Sequence, residues 1–171
     1  MKSDSAVPAS DPIPASDSGA CWQAWFDGAA HPNPGVLGIG VVLQSPDGQR
    51  QEISRRGAGN GCSNEAEMQA LCAALALSHA AGATRLVLRG DSDFAVRHGV
   101  GSTRTVAPRL KQWVDEALAW MARFEVLELC WVPRHRNGDA DRLSRAALGL
   151  VPKPAPHPGK LPVDRKRWRR R

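Results

Sequence analysis

Apolar positions along this chain first gather in two runs, Cys21–Phe26 (CWQAWF) and Val36–Ser45 (VLGIGVVLQS), with the Gly- and Pro-rich stretch DGAAHPNPG between them. Short apolar runs bounded by turn residues predict two strands joined as a hairpin. After the turn SPDG, residues 49–59 (QRQEISRRGAG) continue in the same extended manner but are more polar, which predicts the edge strand of an antiparallel meander. The period then changes. Residues 63–82 (SNEAEMQALCAALALSHAAG) are strong helix formers with acids in the first turn and Gly82 as a stop, and either Ser63 or Asn64 suits the N-cap. TRLVLRGDSD (84–93) predicts a short, fully apolar central strand, and a helical stretch follows Asp91. Residues 107–124 then place Leu110, Trp113, Val114, Ala117, Leu118, Met121 and Phe124 at amphipathic spacing. FEVLELCWVP (124–133) is the fifth strand and GDADRLSRAALG (138–149) the last helix. Three strands, helix, strand, helices, strand, helix is an α/β pattern: a five-stranded mixed sheet flanked by helices.

Composition narrows the class. With 171 residues and 42% hydrophobic content, one domain with a real core is expected. No apolar run approaches the roughly 18 residues of a membrane helix, and the N-terminus has no hydrophobic stretch of the signal-peptide kind. The expectation is a soluble, cytoplasmic protein with no membrane partner. Cys21, Cys62, Cys72 and Cys130 form no CxxC pair and no metal spacing, so they read as reduced and mostly buried thiols.

The net charge of +6 sits at one end. KLPVDRKRWRRR (160–171) holds seven basic residues against Asp164, seven minus one giving +6, so everything before it sums to zero. Following a Pro-rich stretch, this predicts a flexible arm suited to phosphate backbones, or simply a solvated tail. Residues 1–20, rich in Ser, Pro, Asp and Ala, are expected to be disordered. The boundaries are therefore a disordered segment at 1–20, one domain at 21–151, and a Pro-rich then basic tail at 152–171.

The acids lie at element ends. Asp27 ends the first strand, Asp91 the fourth, Glu65 and Glu67 open the long helix, and Asp139 and Asp141 open the last one. If strands one and four are parallel neighbours, Asp27 and Asp91 meet at their carboxyl ends. Crowded carboxylates raise one another's pKa unless a cation is present. Oxygen ligands of this kind suit Mg²⁺ or Mn²⁺, and two such ions flank a phosphate in an in-line displacement. Glu65 and Glu67 are about 200° apart on a helix, so only one faces the sheet, and the periodicity alone does not choose.

FDGAAHPNPGVLGIGVVL, SNEAEMQAL, RGDSDFAV and WVPRHRNGDADRLSRAAL, in this order and spacing, resemble the four blocks of the type 1 ribonuclease H family. The resemblance covers roughly 22–148 and implies strand order 3-2-1-4-5, hydrolysis of the RNA strand of RNA–DNA hybrids with two Mg²⁺ ions (Mn²⁺ as a substitute), and a monomer. Residue by residue, it implies that Asp27, Glu67 (rather than Glu65), Asp91 and Asp141 (rather than Asp139) are catalytic metal ligands. It implies a role for His135 in proton transfer or product release, and roles for Asn33 and Asn64 in holding the hybrid near the ribose 2′-hydroxyl. The expected mechanism has Asp27 and Asp141 holding one metal, which would supply an activated water, and Asp27, Glu67 and Asp91 holding the other, which would stabilise the departing 3′-oxygen, with 5′-phosphate and 3′-hydroxyl ends as the expected products. The chain departs from the family in reading Cys62-Ser63 before Asn64, in carrying Asp93 where Gln is common, and in lacking a basic Trp-rich insertion between Asp91 and strand five. The rival readings are an inactive binding module on the same scaffold and a general nucleic-acid binder driven by the tail.

Overall fold

The computed structural model describes residues 20–154. The N-terminal segment expected at 1–20, except Ala20, and the tail expected at 152–171, beyond Pro154, lie outside the described residues. The elements run β1 (Trp22–His31), β2 (Gly35–Gln44), β3 (Arg50–Gly61), α1 (Ser63–Ala80), β4 (Arg85–Gly90), α2 (Asp93–Gly99), α3 (Pro108–Met121), β5 (Val126–Trp131), a single 3₁₀ turn at Arg134–Arg136, and α4 (Gly138–Ala146). The sheet order is β3-β2-β1-β4-β5. β1, β2 and β3 pair antiparallel, whereas β4 runs parallel to both β1 and β5. This is the mixed sheet expected from the sequence, with a largely exposed β3 at one edge.

Two helices clasp β1 and β2 from opposite faces, and glycines set how close they come. Gly28 lies against the α1 backbone at Ala66 and Glu67, and Gly40 against the α4 backbone at Ala140 and Ser144; a Cβ at either position would overlap main-chain atoms. Both helix segments that carry candidate acids are therefore seated directly on the sheet. Phe26, Ile39, Val41, Leu43, Met68, Leu71, Leu75, Leu86, Leu88 and Leu129 fill the core and are fully buried. Burial of this kind stabilises by roughly 25 cal/mol per Å² of apolar surface.

Four expectations are corrected. The cysteines are not mostly buried: Cys72 is, but Cys62 and Cys130 are half-buried and Cys21, just before β1, is exposed. Asp27 does not end β1: the strand continues to His31 because its second half stays paired with β2 after the pairing with β4 has stopped. The α1 N-cap is Cys62 rather than Ser63 or Asn64, since the Glu65 side chain turns back to accept the Cys62 N–H at 2.8 Å and so starts the helix one residue earlier. β4 is not fully apolar in its surroundings. Leu86, Leu88 and Gly90 are buried, but Arg85, Val87 and Arg89 occupy the other face, which is only partly covered.

Candidate active site

The parallel pairing of β1 with β4 ends at Phe26 opposite Gly90, and the next residue on each strand is an aspartate, Asp27 and Asp91. The carboxyl ends of parallel strands are where open α/β sheets build their sites. Glu67 reaches the same point from the first turns of α1, whose approach Gly28 permits. The carboxylates of Asp27, Glu67 and Asp91 each present an oxygen within 4.8 Å of the others.

Each acid is held by a different element. The Ser144 hydroxyl of α4 donates to Asp27 Oδ2. Glu67 Oε2 accepts the Gly28 N–H at 3.1 Å. Asn137 Nδ2 donates to Asp91 Oδ1 at 3.1 Å and to the Phe26 carbonyl at 2.9 Å, tying the ends of β1 and β4 together. Arg134 Nε stands 3.5 Å from Asp91 Oδ2. Burial pushes the Asp27 carboxyl up to about 7; the Ser144 hydrogen bond opposes this, and the negative charges of Asp91 and Asp141 add to it. Glu67 is raised well above the ordinary carboxylate range, first by burial and then by Asp27 and Asp91, with the Gly28 N–H and Arg134 acting in the opposite direction. Three oxygen donors this close, two of them reluctant to ionise without a counter-charge, fit a hard divalent cation.

The remaining candidates are distributed around this cluster. Asp141 is buried on α4 and close enough to raise Asp27, but it lies outside the three-carboxylate group and pairs with Lys153 at 3.5 Å. Asp139 points outward and shares Arg50 with Glu52. Glu65 is engaged away from the cluster, with the Cys62 N–H and with Arg109 at 3.0 Å. His135 is exposed and lines a cavity beside Trp25, while its neighbour Arg134 is the residue of that turn that meets Asp91. Asn33 Oδ1 accepts the Ser63 N–H at 3.1 Å, which binds the β1–β2 loop to the first turn of α1. Asn64 is exposed on that same turn. Asp93 pairs with Arg97 one turn along α2. Sequence reasoning missed Arg134, Asn137, Ser144 and Lys153. Asn137 carried one signal, its position before a helix, yet it makes no side-chain cap and spends its amide on Asp91 and Phe26 instead.

A family model described as reverse transcriptase-like matches residues 25–147. Ribonuclease HI of Halobacterium salinarum is 35% identical over 132 residues, which are 77% of this chain and 66% of that protein. The chain belongs to the type 1 ribonuclease H family. A bifunctional protein of Mycobacterium tuberculosis is 32% identical over 71% of this chain and 34% of its own length, so the chain spans about two thirds of the first relative and a third of the second. Among solved structures, ribonuclease H1 from Halobacterium salinarum superposes with a TM-score of 0.71 at 35% identity, covering 75% of this chain and 98% of that one. The N-terminal ribonuclease H domain of the mycobacterial protein gives 0.72 at 30% identity, covering 77% and 95%. LC11 ribonuclease H1, solved in complex with an RNA/DNA hybrid, gives 0.67 at 30% identity, covering 75% and 96%. In this ribonuclease H fold, the acid cluster occupies the end of the sheet where β1 and β4 part.

Proposed function

We propose that this protein is a metal-dependent endoribonuclease that hydrolyses the RNA strand of RNA–DNA hybrids and leaves 5′-phosphate and 3′-hydroxyl ends. The observation that carries the reading is the convergence of Asp27, Glu67 and Asp91, from two strands and a helix, to within 4.8 Å. Two Mg²⁺ ions, or Mn²⁺ in their place, would supply an activated water and neutralise the departing 3′-oxygen. Asp27 and Asp141 would hold one ion, and Asp27, Glu67 and Asp91 the other.

The chain's own groups do the rest. Ser144 and Asn137 orient Asp27 and Asp91 before any ligand arrives, so their oxygens need no reorganisation. Arg134, with its guanidinium at the rim of the cluster, supplies a cation toward which a phosphate oxygen is drawn. His135 lies on the same turn as Arg134 and would take up or release a proton at the product side. Asn33 and Asn64 sit at one corner, the start of α1, where they would meet the sugars of a hybrid and read the 2′-hydroxyl. The basic tail would add phosphate contacts and a steeper salt dependence.

The likeness to a ribonuclease H1 solved on an RNA/DNA hybrid supports that substrate. The same reading takes the protein to be a cytoplasmic monomer. The test is a gel assay on an end-labelled hybrid, with and without Mg²⁺, beside duplex DNA and single-stranded RNA. Metal-dependent cutting of the hybrid's RNA strand is expected. Binding without cutting, in a protein that melts cooperatively, would instead establish an inactive binding module.

A further inference from the structure

Beside the acid cluster, on the face of the sheet that α4 covers, lies a cavity of about 390 Å³ whose lining includes Trp25, Val42, Arg50, His135, Arg136 and Asn137. That volume lies within the range of small-molecule sites, roughly 300–1,000 Å³. Its floor is apolar and aromatic, with Val42 buried and Trp25 half-buried on neighbouring strands. Its rim is of mixed charge: Arg136 is exposed there, and Arg50 is shared between Glu52 and the lining Asp139, exposed pairs worth little to stability, so Arg136 is the cation the rim offers a phosphate.

A second observation comes from Asn137, which is 1% exposed. Its amide nitrogen is spent on Asp91 and Phe26, but its Oδ1 is buried with no hydrogen-bond partner among the described residues. The residue that positions Asp91 thus also forms a wall of the cavity, so whatever binds there is in contact with the machinery that holds the acids.

We propose that this cavity is a subsite for one unpaired nucleotide. The base packs against Trp25 and the phosphate lies at Arg136, with Asn137 in the wall. A base in a duplex has both faces covered and cannot turn into such a cavity, whereas an unpaired one stacks on an aromatic ring with little regard to its identity. The nucleotide belongs to a single-stranded flank of the hybrid; that assignment rests on the function proposed above, while the binding chemistry of the cavity stands apart from it.

The test titrates the full chain, in EDTA, calorimetrically with adenosine 5′-monophosphate, adenosine and inorganic phosphate. The nucleotide is expected to bind more tightly than adenosine or phosphate. Trp25→Leu should weaken it about tenfold, the loss of one stacking contact, and Arg136→Ala should bring its affinity down to that of adenosine. If Trp25→Leu fails to fold by circular dichroism, the exposed Arg136 decides alone. With Mg²⁺, a hybrid bearing an unpaired RNA flank should show a lower KM than a blunt hybrid, and Arg136→Ala should erase the difference. Nucleotide affinity equal to that of adenosine, or unchanged in Arg136→Ala, overturns the subsite. Nucleotide binding in a protein that cuts no hybrid keeps the subsite and removes the proposed function; cutting with no nucleotide binding does the reverse.

Discussion

Phe26 and Asp27 are neighbours on β1, both buried, and they belong to regions built on opposite rules. Phe26 joins Leu71, Leu75, Leu88 and Leu129 in the layer between the sheet and its α1 side, where each group that loses water gains packing. Asp27, one residue on and facing α4, joins Glu67, Asp91 and Asp141, where each group that loses water also gains a like charge. The first region stabilises the fold without a ligand. The second is stable only because the first is, and because Ser144, Asn137 and the Gly28 N–H meet part of its need. The contrast locates function at the place where the chain accepts a local cost in stability.

The largest effect expected from breaking this contrast is that of Asp27→Asn. Hybrid cleavage should fall by at least about 10³-fold, the upper range for losing one preorganised electrostatic contact. Thermal melts in EDTA at pH 8 should show the variant no less stable than the parent, because the substitution removes charge repulsion and keeps the shape. A variant that retains full activity would refute the metal-site reading. Next in size is the contrast within α1. Glu67→Gln should cost about 10²-fold or more in turnover with little change in stability. Glu65→Gln should leave turnover nearly intact and cost about 1 kcal/mol in denaturant unfolding, since it weakens a helix cap and the pair with Arg109. The reverse ranking would exchange the roles of the two acids.

The first region was far more legible in the sequence than the second. Apolar runs and helix formers are local signals, and Val36–Leu43, Ser63–Ala80 and Val126–Trp131 each stand where the hydrophobic pattern puts them. Asp27 misled at one point: it marks the end of a pairing, and a strand paired on two sides has two ends. Glu65 and Glu67 were inseparable by periodicity because α1 is apolar most of the way round, and the Cys62 N–H and Arg109 that engage Glu65 become neighbours only when the chain has folded. Arg134 and Ser144 left no trace for the same reason, and Asn137 left only its place before a helix, which says nothing of its partners. Asn137 reaches Phe26 across 111 residues and Ser144 reaches Asp27 across 117, distances at which no local pattern speaks.

A smaller effect, which sharpens the contrast, is its dependence on pH. Unfolded, the Asp27 carboxyl titrates near 3.8; folded, it is pushed up to about 7, and Glu67 moves in the same direction. Between those values the native state holds a proton that the unfolded state has released. By linkage, metal-free stability therefore falls as pH rises from about 4 to about 7 and levels off above that. Urea unfolding in EDTA across this range should show the decline, and Asp27→Asn should flatten it. Added Mg²⁺ should raise the melting temperature more at pH 8 than at pH 5, because binding requires the ionised acids. Leu88→Ala, a truncation in the apolar layer, should cost about 2–5 kcal/mol at every pH and leave the slope as it was.

The smallest effect concerns the one candidate acid that has an ammonium partner among the described residues. α4 closes on Gly149 at positive φ, Leu150 N–H returns to the Arg145 carbonyl, and Arg145 Nε holds the Val151 carbonyl at 2.8 Å. This turns the chain back so that Lys153 Nζ comes to 3.5 Å from Asp141. A cation arriving at Asp141 has to displace that ammonium. Lys153 is 38% exposed, so the pair is screened and contributes no more than a surface ion pair, about 0.2–1 kcal/mol. Lys153→Met should accordingly tighten Mn²⁺ binding by about two- to fivefold, read from the free-ion signal in electron paramagnetic resonance, and Lys153→Arg should restore the parent affinity. The effect should disappear in the Asp141→Asn background, since the lysine then has no charge to neutralise. Unchanged Mn²⁺ affinity in Lys153→Met would overturn the proposed metal role of Asp141 and confine the contrast between a self-sufficient interior and a cation-seeking cluster to Asp27, Glu67 and Asp91.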